Sequence, residues 1–308
     1  MRDFTREYGR MIAEIMKYRG LYTAIVTPFK NNQIDTEALK ALVEAQIAGG
    51  VDGIVPVGTT GESPTLSHSE HMEVIRLAIE YAAGRCQVIA GTGSNSTDEA
   101  IAMTKEAEAM GADGTLQVCP YYNKPSQEGV YRHFKAVADN TSLPILLYSI
   151  PGRSGIEISV DTVARLAADC PNIVAIKEAG GSVERVNQLV QALPADFAVL
   201  SGDDGLTVPF ISCGAVGVVS VTSNVAPAEM KQLVDTALSG DGLKALELQK
   251  KYYPLMKGLM SLDGNPVPIK AAMALRGDMS WEIRLPLVAL AEEKHGKLAD
   301  LLKNFNLL

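Results

Sequence analysis

The sequence predicts a (β/α)8 barrel with extra helices at its C-terminal end. Three observations lead there. Short apolar, β-type runs alternate with amphipathic helical segments, eight such runs occur, and polar or reactive side chains gather where the runs end. Eight units of about 20–35 residues match such a barrel, for which about 250 residues is typical. A doubly wound open sheet shares this alternation and is the competing architecture.

The runs are YTAIVT (22–27), GIVPVG (53–58), QVIAGT (87–92), GTLQVC (114–119), PILLYS (144–149), IVAIKE (173–178), FAVLSG (197–202) and VGVVSV (216–221). Between the first two, Leu39, Leu42, Val43 and Ile47 fall on one helical face. Asp35 is placed to cap that helix and Gly49 with Gly50 to close it, while Ser96 or Thr97 caps the third. From Ala228 onward the chain reads as helices only, including LKALELQKKYYPLMKGLM and LPLVALAEEKHGKLADLLKNF. The organisation expected is an extension over 1–20, a barrel over 21–227 and a helical region over 228–308.

With 308 residues, 47% of them hydrophobic and 21% charged, the chain suits a globular protein with a large core. A net charge of −8 offers no footprint for nucleic acid. No apolar run reaches membrane-spanning length. Cys86, Cys119, Cys170 and Cys213 lack metal-ligand spacing and read as reduced core residues, which suggests the cytosol. Residues 1–20 mix acids with bases and lack an apolar h-region, so they read as a short amphipathic helix or a loose extension rather than a secretory signal.

The run ends carry the chemistry. Thr59 and Thr60 follow the second run, Tyr121 and Tyr122 the fourth, and Tyr148 closes the fifth. Lys177 ends the sixth, and Gly202 with Asp203 the seventh. In a parallel barrel all these ends open on one face, where active sites are built. Lys177 alone could snorkel to the rim. Among hydroxyls in a dry site, it suits a neutral amine that attacks a ketone to form a Schiff base. The GTTGES turn (58–63) can hold a small carboxylate on exposed amides and hydroxyls, or be a plain Gly-rich connection. Tyr148 can act as acid and base, and Arg153 can fork onto a carboxylate; taken alone, the tyrosine reads more readily as packing and the arginine as a solvated loop residue. Asp203 and Asp204 invite a metal but lack a third ligand, so helix capping is the better reading. His68 and His71 likewise lack further zinc ligands, leaving a polar effector pocket as an option. Lys270, in the helical region and away from the strand ends, is assigned a structural role.

Together TAIVTPF, GTTGES, PYYNKP, LYSIPGRSG, VAIKEA and SGDD, in this order, resemble the dihydrodipicolinate synthase family of Schiff-base, pyruvate-dependent aldolases. The resemblance runs from about Leu21 to the C-terminus. It implies condensation of pyruvate with L-aspartate 4-semialdehyde in lysine (diaminopimelate) biosynthesis, without metal or organic cofactor. Lys177 would carry the imine, and Thr60, Tyr148 and Tyr122 a proton relay, with Tyr122 supplied by a neighbouring subunit. Thr59 and Thr60 would hold the pyruvate carboxylate, and Arg153 that of the semialdehyde. Gly202 and Val219 would lend main-chain carbonyls, the valine standing where the family often has isoleucine. A homotetramer built as a dimer of dimers is implied. So is feedback inhibition by L-lysine through Ser63, His68, His71, Asn95, Glu99 and Tyr121, with Pro64 in place of a more usual alanine.

The alternatives are a sister aldolase such as N-acetylneuraminate lyase or a keto-sugar-acid aldolase, a metal-dependent aldolase using Asp203, and a non-catalytic barrel that senses pyruvate or lysine. Thr59 beside Thr60, the tyrosine pair and Arg153 speak against the first, and intact Lys177, Tyr148 and Tyr122 against the last.

Overall fold

A computed structural model describes residues 17–308, so the reading of 1–16 as an amphipathic segment lies outside the described residues. Eight parallel strands close into a barrel: β1 (Gly20–Ala24), β2 (Gly53–Val55), β3 (Gln87–Gly91), β4 (Gly114–Val118), β5 (Ile145–Ser149), β6 (Ile173–Glu178), β7 (Ala198–Ser201) and β8 (Gly217–Ser220). β1 completes the ring by pairing with both β2 and β8. Buried on both faces, such strands need apolar runs rather than alternation, which is how they read in sequence. The run 53–58 is cut at Val55, since Pro56 has no amide proton for the ladder. At the closing seam a Cβ on Gly217 would lie 2.0 Å from the Gly20 carbonyl oxygen, so only glycine lets β8 approach β1 there.

A helix follows each strand: α1 (Thr36–Ala48), α2 (His68–Ala82), α3 (Thr97–Ala109), α4 (Gln127–Ala138), α5 (Val160–Asp169), α6 (Val183–Ala192), α7 (Thr207–Ser212) and α8 (Pro227–Leu238). Asp35 caps α1 by accepting from the Ala38 amide at 3.1 Å. Ser96 occupies the N-cap of α3 without a side-chain bond. Ser67 and Glu70 form a capping box on α2. The helices bury one apolar face outside the barrel, while Tyr22, Ile89, Leu116, Leu146, Ala175 and Leu200 fill its interior.

Two expected boundaries shift. Tyr18 is buried in the barrel interior and its hydroxyl donates to the Asp113 carbonyl at 2.7 Å, so the barrel starts before Leu21. α8, expected to open the helical region after residue 227, packs on β1 and is the eighth barrel helix. The appendage proper is α9 (Gly242–Ser261), α10 (Val267–Arg276) and α11 (His295–Lys303). The stretch read as one helix from Leu285 forms it only from His295, after a short 3-10 turn.

The appendage also reaches the face where the strands end. Gln249 donates to the Gly205 carbonyl at 2.7 Å, and Arg284 forks onto Glu70 at 2.7 and 2.9 Å. Among the described residues, no helix is long and apolar enough to cross a membrane.

Candidate active site

Lys177 occupies the second-last position of β6 and is 6% exposed. Its register partner on β5 is Tyr148, and Lys177 Nζ lies 4.3 Å from that ring's centre. No hydrogen bond from Nζ to any described residue offsets the loss of water, and burial drives the lysine pKa down from 10.5 to about 8. Asp204 pulls it back up and Arg153 pushes it further down. Burial raises the Tyr148 phenol to about 12, against weaker opposing effects of Arg153 and of a hydrogen bond with Thr59. At neutral pH the phenol therefore keeps its proton and can give it away, beside an amine that partly loses its own.

Gly202 follows β7 immediately and passes close to the lysine. A Cβ there would sit 2.6 Å from Ala179 Cβ and 3.1 Å from Lys177 Cε. Val219, in β8, is buried within the barrel.

The GTTGES turn uses three of its amides internally. Gly61 and Ser63 donate to the Gly58 carbonyl, at 3.1 and 3.3 Å, and Glu62 to Thr59 at 3.1 Å. The amides of Gly58, Thr59 and Thr60 make no such bond among the described residues, so the two threonines of the expected carboxylate cradle keep theirs free. Glu62 adopts φ +55, a left-handed conformation unusual for a residue with a side chain. Its carboxylate is fully buried, with one oxygen on Lys270 Nζ and the other accepting from the Arg284 amide at 3.0 Å. Lys270 thus reaches the strand-end face that the sequence reading placed it away from.

Thr59, Tyr148 and Arg153 line one cavity of about 230 Å³, together with Ser63 and Tyr121. Thr60 is buried, and Asn265 Nδ2 donates to its hydroxyl at 2.9 Å. Arg153 Nη2 donates to the Asn265 carbonyl at 3.0 Å. Tyr122 is 90% exposed at φ +71 and does not line this cavity. Within one chain, Lys177, Tyr148, Thr59, Thr60, Arg153, Gly202 and Val219 therefore meet at one end of the barrel, and Tyr122 stands apart.

Asp204 departs from the helix-capping reading. Its Oδ2 accepts from the amides of Val221 and Thr222 at 3.1 and 2.8 Å, and from the Thr222 hydroxyl at 2.8 Å. It is a buried tie to the end of β8; Asp203 alone caps the turn, accepting from Gly205. No group of three or more metal-ligating side chains assembles among the described residues.

The residues assigned to an effector pocket are partly brought together. His71 is buried, with Nε2 on the Gly91 carbonyl at 2.7 Å and Nδ1 3.5 Å from Ser63 Oγ. Burial lowers its pKa, so it stays neutral. Asn95 donates to the Tyr121 carbonyl at 3.2 Å, and Glu99 accepts from Ser94. His68 is instead an exposed residue paired with Glu106 at 2.9 Å.

Sequence reasoning missed Asn265, Glu62 and the reach of Lys270. Asn265 lies 205 positions from Thr60, and no local pattern reports such a contact.

The chain is similar to known proteins in sequence and in fold. The sequence pattern of the Dihydrodipicolinate synthetase family matches residues 17–305. The 4-hydroxy-tetrahydrodipicolinate synthase of Syntrophus aciditrophicus is 50% identical over 291 residues, covering 94% of this chain and 99% of that one. The solved structure of the enzyme of that name from Methylacidiphilum fumariolicum SolV superposes with a TM-score of 0.92 at 56% identity, over 94% of this chain and 96% of that one. A Cyanidioschyzon merolae relative solved with lysine bound gives a TM-score of 0.92 at 41% identity, over 95% and 100% of the two chains. On this agreement of sequence and fold, the chain belongs to the dihydrodipicolinate synthetase family.

Proposed function

We propose that the chain condenses pyruvate with L-aspartate 4-semialdehyde, the 4-hydroxy-tetrahydrodipicolinate synthase reaction of lysine biosynthesis. The observation that carries this reading is Lys177: a buried amine against the ring of Tyr148, its pKa lowered by burial to about 8.

The neutral amine adds to the pyruvate ketone. Tyr148 protonates the departing hydroxyl, which leaves as water, and an imine remains. The imine accepts the electron pair left when a methyl proton is removed, giving an enamine whose carbon attacks the aldehyde. The amine of the second substrate then closes the ring and releases Lys177. Thr59 and Thr60 hold the pyruvate carboxylate on their amides and hydroxyls, Arg153 holds that of the semialdehyde, and Thr60 joins Tyr148 in moving protons. Gly202 and Val219 supply main-chain carbonyls to the wall.

Tyr122 completes the relay from a second copy of the chain. An aromatic that is 90% exposed, next in the chain to the cavity-lining Tyr121, favours this, since a ring of that size gains most when buried. The assembly proposed is a homotetramer, a dimer of dimers, in a cytosolic setting. L-lysine acts as inhibitor at the pocket of Ser63, His71, Asn95, Glu99 and Tyr121, with His68 at its rim. The lysine-bound relative supports that reading, and so does the cavity that Ser63 and Tyr121 share with Tyr148.

Incubation with pyruvate and borohydride, followed by peptide mapping, tests the proposal. The expected result is one reduced adduct on Lys177, dependent on pyruvate. No adduct, or one on another lysine, overturns it.

A further inference from the structure

Resting on the Schiff-base reading above, we propose that Asn265 is a positioning residue, fixing the direction of the Thr60 hydroxyl and seating Arg153. Asn265 lies in the turn between α9 and α10, outside the barrel, yet it touches both site elements. Its side-chain Nδ2 donates to Thr60 Oγ1 at 2.9 Å, and its main-chain carbonyl accepts from Arg153 Nη2 at 3.0 Å.

A threonine hydroxyl has one proton to give and two lone pairs to receive with. With one lone pair filled by Asn265, the Thr60 proton is turned away from the appendage and left for the relay. Without that donor the hydroxyl is free to rotate, and the relay loses its sense of direction. The side chain and the backbone of Asn265 act separately, so substitutions that keep the backbone isolate the Thr60 effect.

The amide has two orientations, and the burial pattern chooses between them. Its other end, Oδ1, is buried with no partner among the described residues. Turning the amide over would bury an unpaired NH2, two stranded donors in place of one stranded acceptor, which costs more. The NH2 therefore faces Thr60.

The test uses the full chain with Asn265→Asp and Asn265→Ala, each also in a Thr60→Ala background. Measured are kcat, KM for both substrates, the rate of borohydride-trappable imine formation and melting temperature, across pH. We expect kcat and imine formation at pH 8 to fall about 10–100-fold in both variants, part of the roughly 10²–10⁴-fold that a positioned acid–base group contributes. KM for L-aspartate 4-semialdehyde stays within about threefold, because the carbonyl under Arg153 remains. The carboxyl that Asn265→Asp introduces regains a donor on protonation. Burial raises that carboxyl above its ordinary range, so the Asn265→Asp rate relative to wild type rises between pH 8 and pH 5.5, and the Asn265→Ala ratio stays flat. In the Thr60→Ala background either substitution adds less than about twofold.

Wild-type kcat in Asn265→Asp at pH 8 would overturn the inference, since it would mean the amide oxygen faces Thr60. Equal, pH-independent losses in both variants, with a raised semialdehyde KM and a lowered melting temperature, would overturn it too, reducing Asn265 to a structural role. Absence of the Lys177 adduct in the wild type sinks the Schiff-base reading first, which separates the two failures.

Discussion

Lys177 Nζ stands 4.3 Å from the centre of the Tyr148 ring, the two residues side by side on neighbouring strands. A cation above a ring face is attracted to it, which by itself would favour the ammonium form. Burial acts the other way and is stronger, since the lysine pKa falls to about 8. That balance sets the chemistry. At pH 7 roughly one amine in ten is neutral, against fewer than one in a thousand for a solvated lysine.

Imine formation should therefore rise with pH. The neutral amine is the base form, so the trapping rate at low pyruvate increases about tenfold per unit below the midpoint and levels off above it. The midpoint expected is near 8. Because Asp204 raises the lysine pKa and Arg153 lowers it, Asp204→Asn moves the midpoint down and Arg153→Met moves it up. Stopped trapping reactions from pH 6 to 10 check this; a midpoint at 10 or above in the wild type contradicts the desolvation argument.

The buried Glu62–Lys270 pair should hold the GTTGES turn in place. Lys270 Nζ also lies 4.4 Å from the Phe29 ring centre, with the Arg284 guanidinium 4.2 Å from the same ring. Lys270→Met strands a carboxylate that is fully buried, and about 3–5 kcal/mol of stability is expected to go. Urea unfolding measures it. Adding Glu62→Gln should restore part of the loss, because the unpaired charge goes with it, whereas KM for pyruvate stays raised in both variants.

Gly202→Ala should damage catalysis through Lys177. The new Cβ would crowd Ala179 Cβ at 2.6 Å and Lys177 Cε at 3.1 Å, so the lysine stem or the backbone has to move. A stability loss of about 1–3 kcal/mol follows from overpacking. Steady-state assays should show kcat lowered about tenfold or more, the size of effect that a small misplacement of a reacting group produces. Unaltered kcat would show that the lysine tolerates displacement.

Lysine inhibition should depend on Glu99. Its carboxylate has Ser94 as partner and lies close enough to His71 to influence that ring's charge. A charge-assisted bond to the ligand ammonium contributes about 1.5–3 kcal/mol, so Glu99→Gln should raise the half-inhibiting lysine concentration about tenfold or more. Initial rates against millimolar lysine give the answer, and a wild type that ignores lysine removes the premise.

What the sequence by itself determined is the barrel and the floor of its site. Strands buried on both faces must be apolar throughout, and their ends must turn polar where they meet the cavity, so the eight runs and their terminal Thr59, Thr60, Tyr148 and Lys177 are legible along the chain. Register is not so encoded. That Lys177 lies opposite Tyr148, and Gly202 against the lysine stem, follows from closing the ring. Boundaries slipped where one pattern serves two ends: α8 reads like the helices after it, but its apolar face covers β1. The appendage was the least legible part. Asn265 on Thr60, Lys270 on Glu62 and the buried Asp204 at the end of β8 join residues far apart in the chain. Such polar pairs are selected by burial, because a charge or amide without water must find a partner wherever the fold brings one near.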